Sequence, residues 1–268
     1  QAFALAGRYL GDPIPLATAR AAADRFLDHA YAPDVGVAHR LEGREGKGYG
    51  LLEDQVEFGL GLAELAAATR IPRYVEAARA LADLSAREFR DESGLLRDIA
   101  PRIYDGPMIG TVGEASFPLE DHPHLSANAG YVLLQLRLAA LTGDEARRAL
   151  AQGSLAAMAP RIASAGIFAG GAALAAGLLQ TPAARVIVEG TGTSADALWN
   201  AAERTYHPRV DRFRGVPPAP FSLPEELATA SGDPAGPVRA LVCFGTRCLA
   251  PITEPAELRR VLSVRSVP

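Results

Sequence analysis

Asp54 and Glu57 stand three residues apart, with Glu53 beside them. Residues three apart in a helix share a face, so the two carboxyls can act on one object. Paired carboxylates suit general acid and base work on a sugar. The plainer alternative is acidic charge in a first helical turn, where it complements the helix dipole. His122 and His124 flank Pro123 and follow Glu120 and Asp121. Pro123 keeps the segment extended, and residues two apart in an extended chain point the same way. The pair could move protons or contact a substrate, or simply decorate a loop. Two imidazoles alone do not make a zinc site, so no metal and no cofactor is expected. His39, followed by Arg40 and Arg44, lies in a glycine-rich stretch and completes the catalytic candidates: Asp54, Glu57, His122 and His39.

A second set could bind rather than react. Tyr49 and Tyr104 sit in loop-like sequence and could stack on sugar rings, with His124 and Asn128 as polar contacts. Asn128 and Ser126 are also natural caps for the helix that starts there. The turn from Val188 to Ser194 is rich in glycine and threonine, but Glu189 within it would repel a phosphate. Cys243 and Cys248 are the only cysteines. Their spacing is not that of a thioredoxin couple. A disulfide is feasible across Gly245, but the favoured reading is two unbonded structural thiols. His29 and His207 read as structural.

These residues need elements to hold them. Helical periodicity covers 1–10, 16–31, 51–69, 73–90, 126–142, 145–159 and 168–179, with a stop expected at Pro160. The helix over 51–69 is apolar on two sides and that over 73–90 on one, as alternating inner and outer helices require. The segment from Leu65 to Thr69 matches that from Leu138 to Thr142, an offset of 73, so the helices repeat as hairpins. Residues 36–50 read as a hairpin or long loop, 91–125 as a long irregular stretch with a short strand near 95–99, and 208–237 as irregular. Strands are expected at 185–188 and 238–244, a helix at 194–205 and a last one from about 255, an order that suggests a parallel pairing of the two strands. The division follows: an α-hairpin portion over 1–182 and a small α/β appendage packed on it over 183–268.

The whole chain has 268 residues, of which 49% are hydrophobic and 22% charged, the balance of a globular protein. A net charge of -4 gives no pull towards nucleic acid or an anionic membrane. No signal peptide or membrane span is read, and a cytoplasmic protein is expected. Of 27 basic residues all but Lys47 are arginine, which excludes chemistry by several lysines. The 52 alanines are helix-packing material, since alanine combines high helix propensity with close backbone approach.

The segments Leu51-Leu-Glu-Asp-Gln55, Leu125-Ser-Ala-Asn-Ala129 and Cys243-Phe-Gly-Thr-Arg-Cys248 occur in the order found in a bacterial family. In these the chain resembles the carboxy-terminal α/α-toroid region of the thioredoxin domain-containing, spermatogenesis-associated proteins. The resemblance implies an incomplete α/α toroid of helical hairpins, similar to six-hairpin glycosidases and acylglucosamine epimerases. The thioredoxin-like domain and its Cys-x-x-Cys are missing, so no redox role carries over. Asp121-His-Pro-His124 replaces the family's aspartate-glycine-alanine. With fewer helices than a complete toroid needs and helical pattern running from Gln1, missing hairpins are expected from an amino-terminal portion, a homodimer or a partner subunit. Two functions follow: action on, or binding of, a carbohydrate-like polar ligand, or a non-catalytic binding or structural subunit completed by a partner.

Overall fold

The computed structural model describes residues 1–105, 116–181, 184–206, 210–223, 236–245 and 247–263. His207 and parts of the two irregular stretches lie outside the described residues. Helix α1 (Ala2–Leu10) ends at Gly11, and α2 (Pro13–His29) starts on an Asp12 cap whose side chain accepts from the Ile14 amide. Two small antiparallel ribbons follow: β1 (Tyr31–Ala32) with β2 (Gly36–Val37), and β3 (Arg40–Glu42) with β4 (Glu45–Lys47). The glycine-rich stretch is thus two hairpins.

Next come α3 (Leu52–Thr69) and α4 (Pro72–Glu88), then α5 (Ala127–Thr142), α6 (Glu145–Ile162) and α7 (Gly170–Gln180). Three hairpins, α1–α2, α3–α4 and α5–α6, stand side by side: α1 packs on α3, α3 on α5 and α5 on α7, while α2, α4 and α6 pack outside that row. The expected contrast between inner and outer helices holds: α3 buries residues on several faces, including Leu52, Gln55, Leu60 and Leu65. Pro160 does not stop α6, which runs two residues further. A proline near a helix end loses one hydrogen bond but already has helical φ, so the last turn can absorb it. The stretch around 95–99 forms isolated bridges, Leu51 with Ile99 and Arg90 with Leu96, rather than a strand.

The last third holds β5 (Ala184–Glu189), α8 (Thr193–Arg204), β6 (Val210–Arg214), β7 (Arg239–Phe244), β8 (Arg247–Cys248) and α9 (Pro255–Ser263). The sheet order is β6-β5-β7-β8. The strands at 185–188 and 238–244 are adjacent but antiparallel, which corrects the parallel pairing; the parallel partner of β5 is β6. Strand β6 falls in sequence read as irregular. Alternation sorts the sheet into two faces. Ile187, Phe213, Leu241 and Cys243 join the core of the helical hairpins, while Val186, Val188, Val210 and Val242 join a second core with Leu198 of α8 and Leu258 of α9. The sheet is therefore sandwiched between the hairpins and a pair of helices.

Cys243 and Cys248 face each other across β7 and β8, with Cα atoms 4.0 Å apart, and are disulfide-bonded. This corrects the unbonded reading: the tight turn at Gly245, with φ 59°, puts the two residues in direct register. The described residues are mainly α with a small mixed sheet, and none of their helices is long and apolar enough to cross a membrane.

Candidate functional site

The start of α3 is built around Gln55. Its Oε1 accepts from the Val37 amide at 2.8 Å, and its Nε2 donates to the Val37 and Leu51 carbonyls, each at 3.0 Å. Gly36 permits this approach: its φ is +84°, and a Cβ there would lie 2.1 Å from Gln55 Oε1. The clamp fixes the ribbon against α3 and delivers His39 to Asp54. His39 Nδ1 lies 3.1 and 3.2 Å from the two Asp54 oxygens. Burial pushes the Asp54 carboxyl above the ordinary range, and His39 pulls it partly back.

One turn on, burial also raises the Glu57 carboxyl. Glu53 adds to the rise, and His124 and the amino terminus oppose it. Four of the residues picked from sequence thus gather at the start of α3: His39 with Asp54 in contact, and Glu57 within electrostatic reach of His124. The others lie elsewhere or are occupied. His122 stacks on Phe168, ring centroids 4.4 Å apart, and is 3.8 Å from Glu120. Asn128 is buried and spends its amide on the Leu96 amide, the Leu96 carbonyl and the Pro118 carbonyl. Ser126 caps α5, accepting from the Ala129 amide. The Tyr49 backbone amide donates to Asp105, and Tyr104 packs its backbone against Gly50.

Asp121 ties the histidine-bearing loop in place. It accepts from the Ser126 amide at 2.8 Å and from the Gly171 amide at 2.7 Å, joining the starts of α5 and α7. Asp121 is thus a structural joint.

A concavity lies elsewhere on the same helices. A cavity of about 570 Å³ opens between α1, α3, α5, α7 and the sheet. Leu60, Leu133, Leu136, Leu174 and Leu178 make its apolar wall. Its polar wall is an ion triad: Arg137 Nε and Nη2 reach the Glu64 oxygens at 2.8 and 3.2 Å, and Nη1 bonds Asp211. Burial pushes Asp211 up, but Arg137, helped by Arg70 and Arg8, outweighs it and holds the carboxyl below the ordinary range. Burial likewise lowers Arg137 and is outweighed by Asp211 and Glu64. The Asp211 carboxylate is thereby held in its ionised form, as an acceptor to Arg137.

None of the eight residues chosen from sequence lines this cavity. Asp211 escaped notice because β6 was not recognised. Glu64 had a signal: it lies seven residues after Glu57, on the same helical face. Leu60 lies between them on that face, and Leu125, which follows His124, also lines the cavity. The raised Glu57 carboxyl therefore stands one turn beyond the cavity wall. Among the described residues no three His, Cys, Asp or Glu side chains gather as a metal site. In comparisons with protein families and with curated proteins, no family model and no curated protein matches this chain.

Proposed function

We propose that the cavity binds a small carbohydrate-like polar ligand and that Glu57, at its edge, acts on it as general acid and base. The observation that carries this reading is the shared face of α3. Glu57, Leu60 and Glu64 follow one another at helical spacing, so a proton-transferring carboxyl continues the wall of a cavity sized for a small molecule. The triad offers fixed donors and acceptors to hydroxyls, the leucines cover the apolar edges of a ring, and Tyr9 and Tyr206, in edge contact at 5.0 Å, border the opening. His39 and Asp54 form a neighbouring hydrogen-bonded pair. The hairpin row is, in this proposal, an open portion of an α/α toroid, in keeping with the resemblance to the thioredoxin domain-containing family.

Saturation-transfer NMR with free hexoses and N-acetylhexosamines, run alongside proton NMR of the same mixtures over hours, tests the proposal. The expected result is saturation of a sugar and a slow change in its spectrum that Glu57→Gln abolishes while the saturation persists. Turnover undiminished in Glu57→Gln, or no sugar saturated, contradicts it.

A second reading has its own support. Phe3 and Leu10 on α1, 55% and 73% exposed, and Leu174 on α7, 51% exposed, lie on the two end helices of the row. Capping of these ends by a partner subunit would make the protein a structural component. It predicts a stable oligomer in light scattering, where the ligand reading alone predicts none.

A further inference from the structure

We infer that the ligand of this cavity carries an anionic group, a phosphate or a carboxylate, held by Arg185 and Arg148. The inference rests on the ligand reading above and narrows its substrate class. In β5, Arg185 is in register with Asp211 of β6 and Cys243 of β7, on the sheet face that meets the hairpins. It lines the cavity, and its Nε is shielded from water with no hydrogen-bond partner. Arg148 of α6 lines the same cavity and is steadied by one bond from Nη2 to the Leu179 carbonyl. Among the described residues, neither guanidinium has a carboxylate ion-pair partner, whereas Arg137 has two.

Arg137 meets two carboxylates. Arg185, beside Asp211 in the sheet register, and Arg148 have no carboxylate ion-pair partner among the described residues, and the remaining carboxylate of the lining, Glu145, is exposed at the start of α6. A buried guanidinium N–H without a partner is costly, and an oxyanion matches the guanidinium fork. An anion is drawn to the arginine pair, with its charged group at Arg185 and Arg148 and hydroxyls at Glu64 and Arg137.

Isothermal titration of the full chain tests this with glucose, mannose and N-acetylglucosamine, each as free sugar and 6-phosphate, together with glucuronate and inorganic phosphate. At least one 6-phosphate or glucuronate should bind about tenfold or more tighter than its free sugar, with an affinity that falls as salt rises. Arg185→Gln and, independently, Arg148→Gln should remove most of that preference. The Arg148 variant, on a half-buried helical position, decides the matter should Arg185→Gln fail to fold. Equal affinity for free and anionic forms overturns the inference while the ligand reading stands. Binding of neither form overturns both. Inorganic phosphate bound through the two arginines without any sugar phosphate supports the arginine pair and contradicts the sugar.

Discussion

Arg137 is the residue on which the polar wall depends. Its guanidinium holds two carboxylates, of which Asp211 is fully enclosed. Such a pair adds little net stability over an apolar replacement of all partners, but removing one partner strands the others. Arg137→Met should cost about 3 kcal/mol in urea unfolding at pH 7. Asp211 is held below its ordinary value, so its stabilisation is complete above the ordinary aspartate range and lost as pH falls through the lower folded value. The gap between wild type and Arg137→Met should therefore narrow in acid. Glu57 has the opposite sign. Its folded value is raised, so the folded state binds protons better, and stability falls as pH rises from the ordinary glutamate value through the folded one. Glu57→Gln should stabilise the protein at pH 7 and not at pH 4. Equal midpoint shifts at the two pH values would contradict the assignment.

At the scale of elements, the joints matter more than the helices. Gln55 joins the β1–β2 ribbon to α3 through two bonds to Val37 of 2.8 and 3.0 Å, and Asp121 joins α5 to α7. Gln55→Leu keeps the volume but leaves the Val37 amide and carbonyl buried without partners. It should cost about 2–3 kcal/mol and speed hydrogen exchange across residues 36–48, with α4 unaffected. The helix starts at Ser126 and Asp144 were legible, and each of these residues accepts a backbone hydrogen bond there. The second helix, expected over 16–31, instead starts at Pro13 on the Asp12 cap and ends at His29, because proline fits the first turn of a helix. Strand β6 was not legible. Its sequence, Val-Asp-Arg-Phe-Arg, lacks a hydrophobic face. It is buried because Asp211 meets Arg137, and because Arg212 donates to the Val210, Ala202 and Thr205 carbonyls. Those partners lie far along the chain or on its backbone, where periodicity carries no trace of them.

At the scale of the molecule, the same gap separates the two halves of the candidate site. The carboxylates at the start of α3 were readable from spacing, and the fold brings His39 into contact with one of them, Asp54. The cavity was not readable, since it is made where the inner row of helices meets the sheet, and its charged residues come from α3, α5, α6, β5 and β6. Tertiary placement alone turns Glu64, Arg137 and Asp211 into a wall and leaves Arg148 and Arg185 facing open space. The central claim is that a ligand occupies this space. Ala140 lines the cavity from α5 and is half-buried, so a tryptophan there fills the space without disturbing the core. The most direct measurement is the thermal shift of wild type and Ala140→Trp over the same set of free and anionic sugars. A ligand at ten times its Kd adds about 1.4 kcal/mol, which is a rise of about 3–5 °C for a chain of this size. The account predicts such a rise in wild type and none in Ala140→Trp; an equal rise in both, or no rise in either, would contradict it.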